Sequence, residues 1–193
     1  EQIVAGISPE SAADRADLLN ILNFSKEKNN PSVLALIAGL QAQNGELDQA
    51  LTTINRALRK RPKVTGFILM KANLLMALQD DEATQKWFAK ASRKNKENLD
   101  IRLAEARYYI QINDQQTALE KLEDVIKDHP NAEEALFIAG LTSIDLKQYE
   151  KAEQYLVYLR NSSKYQNEAY YYLAVNAERK QHFETAKAYY RLV

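Results

Sequence analysis

The stretch Asn44-Gly45-Glu46-Leu47-Asp48-Gln49-Ala50-Leu51-Thr52-Thr53-Ile54-Asn55-Arg56-Ala57-Leu58 closes one helix and opens the next. An Asn-Gly pair stops a helix because both residues accept left-handed backbone at low cost. Downstream, Leu47, Ala50, Leu51, Ile54, Ala57 and Leu58 step by three and four, the spacing of one buried helical stripe. Upstream, an apolar helix is predicted from about Ser32 to Gln43, and Pro62 stops the second helix. The unit is therefore a helix, a tight turn and an antiparallel helix.

The same unit recurs along the chain. Small residues stand in the second helices at Ala50, Thr84, Ala118, Ala152 and Ala186, each 34 after the last. The first helices hold a matching series at Ala38, Ala72, Ala106, Gly140 and Ala174. A large apolar column runs Ile54, Phe88, Leu122, Leu156 and Tyr190, and a fourth runs Ala57, Ala91, Val125, Leu159 and Val193. One period held in four columns without insertion marks an internal repeat. The small columns let neighbouring helices approach to about 8 Å between axes, and the large column fills the groove left between them.

Composition agrees with an all-helical reading. Five Gly and four Pro in 193 residues are too few for a many-stranded sandwich or barrel. The 26 basic and 26 acidic residues cancel, which excludes a globally charged nucleic-acid binder. The absence of Cys excludes disulfides, thiolate metal sites and cysteine nucleophiles. No apolar run reaches the roughly 20 residues that span a bilayer. Glu1 and the abrupt stop at Val193 inside an amphipathic pattern lead us to expect a piece of a longer protein.

Asn44 to Ala50 with Ile54, Ala57 and Pro62 resembles the tetratricopeptide repeat, a 34-residue helix–turn–helix unit. Asn113 to Ala118 with Leu122 and Pro130 resembles it too, as do Gln148 to Ala152 and Gln181 to Ala186. The resemblance covers Pro31 to Val193, with repeats at 31–64, 65–98, 99–132 and 133–166 and a truncated fifth at 167–193. It implies an all-α solenoid of antiparallel helix pairs, a right-handed superhelix of about eleven helices without domain boundaries. Thr84 stands where Ala is usual, and Lys96 and Lys164 where Pro is common, which predicts looser turns there. Residues 1–30 read as a capping helix or as the second helix of an earlier repeat. Ser8-Pro9-Glu10 is read as its start.

Little in the chain suggests catalysis. His129 and His182 have no partner at ligand spacing, and Asp80-Asp81 and Glu133-Glu134 sit at helix starts where acids complement the dipole. No phosphate loop or nucleophile elbow occurs. We therefore expect no metal, no cofactor and no enzyme. The resemblance implies a scaffold whose first helices line a groove, here Leu69, Asn73 and Met76, then Leu103, Arg107 and Ile110. Phe137, Leu141 and Ile144, then Tyr171 and Val175, continue it. These positions are mostly apolar, so the expected partner is a protein presenting an apolar or amphipathic segment; the alternative is a spacer or self-association module of a multidomain enzyme. Loosely matched repeats of this kind resemble envelope-associated bacterial lipoproteins. That points to the periplasm, while the lack of Cys fits the cytoplasm equally.

Two further features stand out. Nine of eleven Tyr follow residue 148, and Tyr170-Tyr171-Tyr172 cannot all face a core, because each helical step turns about 100°. Between Arg56 and Lys96 there are eleven basic and three acidic residues. Arg56, Arg59, Lys60, Arg61, Lys86, Lys90, Arg93 and Lys94 either complement helix C-termini or form a patch for an anionic surface, with too few aromatics for nucleic acid. Finally, Lys71 and Glu105 are equivalent positions in adjacent repeats, and the sequence predicts that they pair.

Overall fold

A computed structural model describes residues 11–193. Its eleven α-helices, counted among the described residues, fall into two compact units that divide between Asn95 and Lys96. The first unit holds α1 (Ala12–Phe24), α2 (Pro31–Gln43), α3 (Leu47–Lys60), α4 (Thr65–Ala77) and α5 (Asp81–Lys94). The second holds α6 (Leu99–Gln111), α7 (Gln115–Asp128), α8 (Glu133–Asp145), α9 (Tyr149–Tyr158), α10 (Gln166–Arg179) and α11 (Phe183–Tyr190). A 3-10 turn, Leu159–Asn161, follows α9. The cap expected at Ser8-Pro9 lies outside the described residues. Instead, α1 begins at Ala12 behind a capping box in which Ser11 and Asp14 satisfy each other's backbone N–H.

Packing follows the small and large columns. Ala38, Ala72, Ala106 and Ala174 of the first helices are buried, as are Ala50, Thr84, Ala118, Ala152 and Ala186 of the second. Ile54, Phe88, Leu122 and Leu156 fill the space those small residues leave, while Tyr190 and Val193, the last members of their columns, are exposed. Gly140 shows how close the approach is. A Cβ built there would stand 2.8 Å from Leu156 Cγ and Cδ2, inside any permitted contact. The Thr84 hydroxyl, which has replaced a methyl, donates to the Asp80 carbonyl at 2.8 Å and so is buried without penalty.

Every first helix ends in the same way. Gly45, Gln79, Asn113, Lys147 and Gln181, each 34 residues apart, have φ between 56° and 81°, the left-handed region. The next residue's N–H reaches back to the carbonyl five positions earlier: Glu46 to Gln41 at 2.9 Å, Asp114 to Tyr109 at 2.8 Å, Gln148 to Ser143 at 2.8 Å. This Schellman closure satisfies carbonyls the helix end would otherwise orphan. Gly45 adopts this backbone freely and Asn113 at low cost, while Gln79, Lys147 and Gln181 place a larger side chain in it.

The turns at Lys96 and Lys164 are tied rather than loose. Arg102 donates to the Lys96 carbonyl at 3.1 Å and pairs with Asp128 at 2.8 Å. The buried Ser162 hydroxyl accepts from the Lys164 and Tyr165 N–H groups at 3.1 and 3.0 Å. Lys71 and Glu105 also depart from expectation by taking separate partners. The Lys71 ammonium lies 4.2 Å from the Trp87 ring centroid, whereas Glu105, 4% exposed on its side chain, pairs with Lys121 at 3.0 Å. A cation–π contact and a nearby lysine on the following helix each meet the charge without reaching between repeats.

The turn geometry yields a direct test. Lys147→Gly removes a Cβ from left-handed backbone and should stabilise the protein by about 1 kcal/mol, while Gly45→Ala should cost a similar amount. Urea denaturation with each variant measures both shifts. A destabilising Lys147→Gly would contradict the strain assigned to these turns.

Candidate partner-binding site

On α4, Leu69, Asn73 and Met76 share one face, with Asn73 exposed and the other two half-buried. In the second unit the corresponding face of α6 presents exposed Arg107 and half-buried Ile110. Phe137, Leu141 and Ile144 on α8 and Val175 on α10 are half-buried, and Tyr171 is 46% exposed. Leu103 differs. It is 4% exposed and packs in a core cluster with Ala106, Leu119 and Leu122, so it offers no surface. Arg107 is not a solitary cation, because its guanidinium pairs with Glu134 in the first turn of α8.

An aromatic row extends across α8, α10 and α11. Phe137 stacks on Tyr165 with centroids 5.0 Å apart and meets Tyr172 edge-on at 5.7 Å. Tyr172 contacts Tyr171 at 5.1 Å, and Tyr171 contacts Tyr190 at 5.9 Å. Tyr170 turns the other way and packs on Tyr189 at 6.3 Å. The tyrosine run is thus divided by helical rotation, one ring against α11 and two into the row. These rings hold one another in stacked and edge-to-face arrangements and leave Tyr171 and Tyr190 partly open, a rigid amphipathic surface. Sequence reasoning placed Phe137 and Tyr171 here but missed Tyr172, Tyr165 and Tyr190.

The basic residues divide as well. Arg59, Lys90 and Lys94 stand around one cleft together with Lys71, which the sequence reading did not assign to the patch. Arg56, Lys60, Arg61, Lys86 and Arg93 lie outside it, all exposed; Arg56 donates to Asn29 Oδ1 at 2.9 Å and Lys86 pairs with Glu82. In the second unit a cleft of about 850 Å³ lies between α7, α8 and α9, lined by Ile126, Pro130, Leu136, Glu150, Glu153 and Tyr155. The Tyr155 hydroxyl donates to Glu123 at 3.0 Å, and Lys151 pairs with the same carboxylate oxygen at 2.8 Å. Among the described residues, no group of three or more acidic or His side chains is placed to hold a metal, and no helix is long and apolar enough to cross a membrane.

Residues 103–166 match the family model described as the tetratricopeptide repeat. That stretch of the chain is built of tetratricopeptide repeats. The stacked helix pairs of the chain superpose on YrrB, described as a tetratricopeptide protein with an unusual peptide-binding site. The TM-score is 0.61 and the identity 18%, over 93% of this chain and 90% of that one. MamA gives a TM-score of 0.66 at 16% identity, over 83% of this chain and 88% of that one. Among curated proteins, 140 residues are 26% identical to cellulose synthase operon protein C of Pseudomonas fluorescens. That match takes in 67% of this chain but only 11% of the relative's length. Tetratricopeptide modules are typically protein–protein interaction modules and in general non-catalytic.

Burial first, and then the bond to Glu123, push the Tyr155 hydroxyl up to about 12. A phenol whose folded-state value lies above its ordinary value near 10 favours folding while it is protonated. That contribution is complete below about pH 10 and disappears as the pH climbs toward about 12. Spectrophotometric titration of the wild type minus Tyr155→Phe should show a phenol titrating near 12, with wild-type stability falling relative to the variant across that window. A difference curve centred at 10 would contradict the assignment.

Proposed function

We propose that the chain is a non-catalytic scaffold that recruits a protein partner by receiving an apolar or amphipathic segment on the outward face of its first helices. The observation that carries this is the aromatic row on α8, α10 and α11, whose rings are fixed by one another yet reach solvent at Tyr171 and Tyr190. Preformed aromatic surface costs little conformational entropy to use, which is why Tyr is enriched at interfaces. Leu141, Ile144 and Val175 extend that surface in the second unit, and Leu69, Asn73 and Met76 supply its counterpart in the first. Asn73 can bond a peptide backbone; Arg107, already neutralised by Glu134, contributes stem and planar surface more than net charge. The likeness to one stretch of a cellulose synthase operon protein favours a bacterial setting in which the module docks a protein of a polysaccharide-producing assembly.

The test uses the full chain as bait for a displayed library of random 12-residue peptides. Selected peptides should carry apolar residues at helical or alternating spacing. Their affinity should fall at least about tenfold on Tyr171→Ala combined with Leu141→Ser, each of these being partly solvent-facing, while the helical circular dichroism holds. Peptides that bind this double variant as they bind the wild type would place recognition elsewhere.

A further inference from the structure

The first unit carries a cleft of about 330 Å³ between α3, α4 and α5. Its walls are apolar, formed by Leu58, Pro62, Ile68 and Trp87, and its charged lining residues are Arg59, Lys71, Lys90 and Lys94, with no carboxylate among them. The indole N–H donates to the Ile68 carbonyl at 3.0 Å, which fixes the ring, and the Lys71 ammonium sits over one ring face at 4.2 Å.

Helix capping accounts for only half of this charge. Arg59 and Lys94 belong to the last turns of α3 and α5, where cations complement the dipole. Lys71 lies mid-way along α4, and Lys90 precedes the last turn of α5. Burial, and then the charge of Lys90, hold the Lys71 ammonium below its ordinary pKa, so these two cations oppose each other across the cleft. The second unit shows that the fold does not demand them. Two repeats on, Ile126, Pro130, Leu136 and Tyr155 replace Leu58, Pro62, Ile68 and Trp87 as walls, yet Glu150 and Glu153 supply the charge. The walls persist and the charges reverse.

We propose that the cleft around Trp87 binds an acidic peptide segment, its carboxylates set among Arg59, Lys71, Lys90 and Lys94 and one of its apolar side chains against Trp87, Leu58 and Pro62. Charge complementarity and the apolar walls together select this occupant. A phosphate dianion would use the cations but none of the apolar surface of Leu58, Pro62 and Trp87. The site lies on elements other than the aromatic row and so stands independently of it.

Trp87 is the only tryptophan in the sequence, so its emission reports the site directly. The probe is the capped peptide Asp-Glu-Phe-Glu-Asp, titrated into the full chain. It should give a saturable change whose affinity falls at least about tenfold between roughly 50 and 500 mM salt. Lys90→Glu and Arg59→Glu should each weaken binding at least about tenfold with circular dichroism unchanged, and Lys90→Arg should restore it. Tyr171→Ala with Leu141→Ser should bind the probe normally, so failure of the aromatic surface and failure of this cleft are read separately. No saturable change, or equal binding by Lys90→Glu, overturns the proposal. An equal response to inorganic phosphate, or to a probe with Gly in place of Phe, overturns the peptide assignment in favour of a simple anion site.

Discussion

The contact between a residue with little or no side chain on one helix and a large apolar residue on its neighbour sets the geometry of each unit. At Gly140 the Leu156 side chain occupies the place where a Cβ would be. At Ala38, Ala72, Ala106 and Ala174 a single methyl is buried at the same crossing. A larger residue would push the helices apart, and Ile54, Phe88, Leu122 and Leu156 would lose contact on every side at once, because interiors are packed to near-crystalline density. A helix end must then close within a few residues so that the next helix can return against the first. The repeated left-handed residue and its backward hydrogen bond do this even where the side chain is Gln, Asn or Lys.

That division of labour frees the rest of the surface. Once the inner stripe of a helix is committed to packing, residues on its other faces can change without cost to the fold. Charge illustrates this: equivalent clefts keep Pro62 and Pro130 and an aromatic wall, but one is basic and the other acidic. Aromatic content illustrates it again, since the tyrosines gather in the second unit while Trp87 serves the first. A repeat scaffold of this kind gains specificity by decorating a constant frame.

The frame was legible in the sequence because packing tolerates so few residues at the crossings. Helix limits, the period and the buried columns followed from Ala50, Ala118, Ala152 and their counterparts. The side-chain partnerships were not legible. Lys71 has reach enough for several neighbours, and it lies over the Trp87 ring while Glu105 pairs with Lys121. Leu103 was assigned to the surface by its register, but the same register serves the core where α7 and α8 close over it. The left-handed residues Gln79, Lys147 and Gln181 carried no signal, since they are set by the hydrogen-bonded turn and not by their own preference. The cleft at Trp87 draws its lining from three helices, and no single stretch of sequence announces it.

The interlock is tested most directly by a double-mutant cycle on Gly140 and Leu156, read by equilibrium urea denaturation. Gly140→Ala alone should destabilise by about 1–3 kcal/mol despite the better helix propensity of Ala, and Leu156→Ala alone by about 2–5 kcal/mol. Combined, the added methyl occupies part of the vacated space, so the double variant should be as stable as Leu156→Ala or more so. Costs that simply add, to within about 0.5 kcal/mol, would show that the two side chains do not compete for one position and would contradict the account.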